Sequence, residues 1–482
     1  MPVERRRIIR TGVRVVVALA VGAVAVAVVG AAAVLPWPEH RVDPGEVVVA
    51  PEEAIQQRVC PGPLLSIGDD ADAATELESF GSASVISASS PEDAEIEKTS
   101  LEAPENARAD EHGAPVVLES QPGAVDPGML AGAQSQTART DLLGGFAAAS
   151  CSEATSESWL VAGSTTLGRS SLILLANPTD VAATVDVRVS GESGPVEARS
   201  ALGITVAPRS QRVLSLAGLA PNVASPVVHI TSTGGAIAAS LEQSAIAGLA
   251  PAGIELTGPT AAPGASLVIP GIVIGGESGV HADDDHAEGD AFPAVRLLAP
   301  GDDRVEVTIG IAEVGGGDGD SIDVDLQPGA VSDIPLGELA AGTYTLRIEA
   351  DGPVVAAARA TVGSAESATD AEAPADLAWF VAAQPLPETA VVAVASGPSA
   401  TLQLAVGKDG SREASVTVDG RTRTVEVPAS GAVSVPVRGR VVELEGVEGV
   451  SAAVTYRSAT ALAAFAVQPP GPLDTPIRVY PR

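Results

Sequence analysis

The chain has 482 residues and a formal net charge of −33, with 61 acidic residues against 28 lysines and arginines. A surface of that sign repels nucleic acid and anionic lipid, so a nucleic-acid partner is excluded. It suits cations, basic proteins or plain solubility, and with 2% aromatic residues the chain has little with which to stack sugars.

Residues 1–14 form a basic tail with Arg5, Arg6, Arg7, Arg10 and Arg14, and residues 15–38 carry no charge. At about 1.5 Å per residue, the apolar run from Val15 to Leu35 would span about 31 Å, against a hydrocarbon core of about 30 Å. The spacing predicts a transmembrane anchor over 15–38. The arginines keep the N-terminus in the cytoplasm and place the C-terminal bulk outside the cell membrane. Trp37, between Pro36 and Pro38, suits the outer headgroup level. Ala31 and Ala33 leave cleavage as a signal peptide open, although the run exceeds the usual apolar core of about 7–15 residues. A stalk rich in Pro and Glu follows over 39–58.

Beyond the anchor, four β-sandwich domains are expected: 59–151, 152–262, 263–366 and 375–482. Trp159, Pro178 and Pro208 are spaced by 19 and 30 residues, and Trp379, Pro398 and Pro428 repeat both spacings. The third copy runs through Leu267, Pro300 and Pro328, and carries an extra acidic loop over 275–290. The first is degenerate, with Pro91 and Gln121-Pro122-Gly123 taken as its landmarks. A disordered acidic linker competes with it, because residues 92–111 are dense in charge. Within the copies apolar residues alternate, as in Val185, Val187 and Val189, or Leu402, Leu404 and Val406. Alternation of this kind buries one face of a strand and wets the other. Short intervals of Gly, Pro, Asp and Asn imply hairpins. The expected fold is therefore mostly β, as tandem immunoglobulin-like or fibronectin-like sandwiches of about 100 residues each. Trp159 and Trp379 are expected as equivalent core plugs. Four domains in line would extend roughly 130–140 Å at about 35 Å each, and collapsed packing is equally open.

Two cysteines, Cys60 and Cys151, lie beyond the anchor, where an oxidising compartment favours a disulfide between them. In the chain-entropy model so long a loop is stabilised by roughly 4–5 kcal/mol. No nucleophile elbow, HExxH pair or phosphate-binding loop is present, so no catalytic residue and no cofactor are expected. The strongest constellation is His281, Asp283, Asp285, His286 and Glu288, whose imidazoles and carboxylates could ligate a metal. A solvated loop is the plainer reading. His229 is expected on the polar face of a strand, and His112 in a loop without a partner.

The runs Cys60-Pro61-Gly62-Pro63, Trp159-Leu160-Val161-Ala162-Gly163, Gly168-Arg169-Ser170-Ser171 and Leu175-Ala176-Asn177-Pro178 resemble an uncharacterised family of secreted or membrane-anchored actinobacterial proteins, known only as a domain of unknown function. The resemblance covers most of the chain beyond the anchor and is clearest from Cys151 to Leu241. It implies a cell-envelope location, often beside a glycosyltransferase gene, and brings no catalytic residues. The expected function is non-enzymatic: binding or scaffolding, with an envelope protein or wall polymer as partner and the membrane engaged through 15–38. An accessory subunit of an envelope glycan-building enzyme is the alternative, and a hydrolase a minor one.

Overall fold

The structure, a computed structural model, describes residues 16–24, 26, 47–49, 55–67, 77–140, 142–276, 292–316, 319–363, 375–407, 410–469 and 477–479. The chain divides into two compact units, Met1–Ala50 with Pro476–Arg482, and Pro51–Thr475. In the first unit, residues 16–24 and 26 are helical. Val47–Val49 pairs antiparallel with Ile477–Val479, so segments near both ends of the chain share a two-stranded sheet. No described helix is long and apolar enough to cross a membrane; the rest of the expected anchor lies outside the described residues.

The second unit is built almost wholly of antiparallel strands, in four modules with one plan. It is most complete in the second module, whose eight principal strands are Glu157–Val161, Arg169–Asn177, Ala183–Gly191, Ile204–Val206, Ser210–Ser215, Val227–Gly234, Ala238–Ala247 and Ala250–Thr257. The first, sixth, third and fourth make one sheet, and the fifth, second, seventh and eighth the other. The alternation read in Ala183–Gly191 decides which face turns inward: Val185, Val187 and Val189 are buried, while Thr184 and Arg188 are exposed. Those valines meet Ile173, Leu175, Ala239 and Leu241 of the other sheet in a common core.

The fourth module repeats the order with Thr389–Ala393 as its first strand and Leu462–Ala466 as its eighth. The third does so with Gly264–Ile274 first and Asp376–Val381 eighth; its single strand Gly342–Val362 fills the sixth and seventh places. The first module keeps the order in two three-stranded sheets. Its charge-dense stretch supplies an edge strand, Ile96–Ser100, and a short helix, Ala109–His112, where the other modules have their fourth and fifth strands. Cys60 and Cys151 are joined, tying the first strand of this module to the end of its last.

Three expectations change. In the immunoglobulin arrangement the first two strands share a sheet; here they lie in opposite sheets in every module. Trp379 does not correspond to Trp159. Its strand pairs with residues 357–362 and completes the third module, and Thr389–Ala393 takes the place of Glu157–Val161 in the fourth. Pro208, Pro328 and Pro428 do share a position, between the fourth and fifth strands, whereas Pro122 falls between the sixth and seventh. Pro and Gly punctuate almost any strand junction, so their spacing alone did not determine register.

The modules are not strung in line. Leu64 and Ala147 of the first pack with Leu174 and Leu256 of the second. Val227 of the second packs with Leu298 and Val355 of the third, and Phe380 of the third with Leu462 and Ala464 of the fourth. Phe146 of the first closes the cycle against the Tyr456 ring of the fourth, with centroids 5.4 Å apart.

The four eighth strands meet at a hub. One oxygen of the Asp376 carboxylate accepts the backbone N–H of Ile254 at 3.2 Å and of Leu377 at 3.0 Å. The other accepts those of Phe146 at 2.8 Å and Leu462 at 3.0 Å. The residues just before these four donors are Gly145, Gly253, Asp376 and Ala461. Both glycines have positive φ, and a Cβ on Gly253 would fall 2.7 Å from the Leu377 amide nitrogen. Gly253→Ala should therefore cost about 1–3 kcal/mol from crowding alone, with the backbone penalty added. Gly301→Ala, at a site with open space around it, should change little. Denaturant midpoints of the two variants check the contrast.

Candidate functional site

Cross-strand pairing builds a polar cleft on the outer face of the second module. Trp159 lies directly opposite His229, and His229 directly opposite Arg188, while Glu157 and Thr231 form the next pair along. By strand alternation these side chains share the outer face of the sheet, away from the inward Leu160, Val228 and Val187. Trp159 is thus not a plug between the sheets. It is 9% exposed because the third module covers this face through Leu298 and Val331. The imidazole stacks flat on the indole, with centroids 3.9 Å apart and planes 9° from parallel, and Nε2 lies 2.8 Å from a Glu157 oxygen.

A cavity lies on each side of this stacked pair. One, of about 320 Å³, lies between Glu153, Glu157, Trp159, Pro259, Gln384 and Gln468. It is framed by the second module, the connection into the third, and the segments flanking the fourth. The other, of about 330 Å³, is lined by Trp159, Arg188, His229, Leu298 and Pro300. Both reach the lower end of the size range of small-ligand pockets. The buried indole Nε1–H has no hydrogen-bond partner, and a buried orphan donor costs free energy until an acceptor reaches it. Among the described residues no hydroxyl or thiol is hydrogen-bonded to the His229 ring, so the cluster offers an imidazole edge, a carboxylate, a guanidinium and an indole for recognition.

A second polar node holds the second and third modules together. Arg296, 1% exposed, donates from Nε and Nη2 to the two Asp333 oxygens at 2.8 and 3.0 Å. It also donates to the carbonyls of Gly163, Pro226 and Ala224 in the second module. Its guanidinium lies 4.5 Å from the centroid of Trp379, whose Nε1 donates to Gln243 at 2.7 Å. Burial raises the Asp333 pKa, but Arg296, and then Arg359, bring it below the usual carboxylate range. In the sequence Arg296 is marked only as one charge within the apolar run 294–298.

His281, Asp283, Asp285, His286 and Glu288 lie outside the described residues. Among the described residues no group of three or more His, Cys, Asp and Glu side chains is placed to hold a metal. His112, expected without a partner, has Nδ1 2.6 Å from the Ser79 carbonyl.

Three buried carboxyls sit at module junctions. Glu242 accepts the Leu65 amide across the first junction, and burial, partly offset by that bond, pushes its pKa up to about 8. Burial likewise pushes Asp376 up to about 8 against the pull of its four amides. Glu255, fully buried beside it, stands well above the usual range, through burial first and then the Asp376 charge. The other two hub strands, Gly144–Ser150 and Leu462–Ala466, carry no titratable side chain.

These shifts set a sign. Between about pH 4 and about pH 8 the folded chain holds protons that the unfolded chain has released, so stability falls as pH rises through that range. Ordinary carboxylates are already ionised above about pH 6. Denaturant midpoints should therefore still decline between pH 6 and 8, and Glu242→Gln should flatten that decline.

The fold defines a multi-module antiparallel β protein with a polar cleft at a module junction. A family model described as a family of unknown function, DUF5719, matches residues 106–440, and the chain belongs to that family. No curated protein matches the sequence. Among solved structures, the crystal structure of Thermotoga maritima 1070 is 13% identical, covering 24% of this chain and 90% of its own, with a TM-score of 0.18. A Ca2+-stabilised adhesin with which an Antarctic bacterium binds ice is 12% identical, covering 82% and 92%, with a TM-score of 0.11. Scores this low support no argument about fold or function.

Proposed function

We propose that this chain is a non-enzymatic, membrane-anchored protein of the cell envelope, whose body outside the membrane scaffolds a partner at the Trp159 cleft. The observation that carries the binding reading is the cavity of about 320 Å³ lined by Trp159, Glu153, Glu157 and Gln384. The envelope reading draws on the arginines ahead of an uncharged run and on the Cys60–Cys151 bond, since disulfides persist in oxidising compartments. Shared cores between modules suit a scaffold, because they hold the walls of the cleft in register.

Photo-crosslinking from Gln384, on the cleft rim, in intact cells tests the assignment, with exposed Asp302 as the control position. Capture of wall polymer or an envelope protein at Gln384 and not at Asp302 is the expected result. A glycan-building enzyme as the captured protein would favour the accessory role. Equal labelling at both positions would remove the cleft from the proposal, and turnover of peptidoglycan, esters or peptides by the purified protein would replace it with a hydrolase.

Protease added to intact cells should digest residues beyond the anchor while sparing a short N-terminal fragment. Survival of the whole chain in intact but not in lysed cells would refute the location.

A further inference from the structure

The hub has a feature that ordinary module packing does not require. Four backbone N–H groups, from positions that correspond in the four modules, converge on one point. Three of the preceding residues are Gly145, Gly253 and Ala461, whose small size leaves room at that point. The fourth is Asp376, whose side chain fills it; a Cβ on Gly145 would collide with its carboxylate. Each carboxylate oxygen accepts two of the four amides, and the surrounding backbone offers this group only donors. Clustered amides of this kind form anion-binding concavities.

The geometry points to an anion-binding nest assembled jointly by the four modules, with the chain's own Asp376 carboxylate as its resident ligand and the latch that holds the modules closed. The chemical class the nest selects is a small carboxylate. Glu255 is no part of it: neither of its oxygens has a hydrogen-bond partner at normal geometry, although the nearby backbone of Ala464 and Leu256 partly offsets the rise in its pKa.

Variants of the full-length chain, melted above about pH 8 where the Asp376 carboxyl is ionised, separate this from simple core packing. Asp376→Gly gives the third module the residue found in the first two and empties the nest. It should lower the melting temperature by about 5 °C or more. Formate should restore much of the loss in a saturable way, as a ligand bound to the folded state does, and should barely move wild type. Asp376→Asn fills the space but turns an NH2 donor towards two of the amides. It should melt as low or lower, without formate rescue. Glu255→Gln should melt no lower than wild type.

Wild-type stability in Asp376→Asn, or a folded Asp376→Gly indifferent to formate, would overturn the proposal. Hydrogen exchange in wild type keeps it testable should Asp376→Gly not fold. The amides of Phe146, Ile254, Leu377 and Leu462 should exchange together, among the slowest in the chain; early exchange of one from the others would sink the latch.

Discussion

The arrangement of the four modules depends on a single polar group in an apolar place. Each module ends in a strand that reaches the same point, and each presents there an N–H that its own sheet does not use. A buried amide without an acceptor is costly, so four of them at one junction would oppose closure. The Asp376 carboxylate satisfies all four at 2.8–3.2 Å. Desolvating that carboxyl is itself costly, which is why burial raises its pKa despite the four donors.

Several features that look unrelated follow from this junction. Gly145 and Gly253 leave room where any side chain would strike the carboxylate or the neighbouring backbone. Small residues predominate in two of the four hub strands, Gly144–Ser150 and Leu462–Ala466. Packing then shifts outwards, to Phe146 against Tyr456 on one side and to Arg296 over Trp379 on another. Arg296 holds the second and third modules as the hub holds all four, with a buried charge whose every drawn bond ends on an oxygen. The Trp159 cleft lies at such a junction as well, so its walls belong to elements far apart in the chain.

Much was legible locally. The alternation in residues 183–191 named both the strand and its buried face, since a period of two is a property of a few adjacent residues. The Cys60–Cys151 pairing was legible because the expected export left each cysteine only one partner. Register was not. The matching intervals after Trp159 and Trp379 suggested equivalent tryptophans, yet one lies on an outer sheet face and the other in a closing strand. Turn residues recur wherever strands end, so the interval between two prolines can repeat without the strands between them corresponding. The Trp159–His229 stack joins residues whose pairing depends on which strands become neighbours, and nothing near either residue announces it.

By itself, then, the sequence determined the basic tail and uncharged run, the β class, the inward face of strands such as Ala183–Gly191 and the covalent link in the first module. These are properties of composition, short-range pattern and count. Tertiary structure decided that the first and second strands of each module lie in opposite sheets, that residues 376–381 close the third module, and that four modules share one hub. Gly145, Gly253, Asp376 and Ala461 have no chemical type in common, and Asp376 and Phe146 are 230 residues apart. Only the folded backbone, by bringing their amides to one point, makes them equivalent.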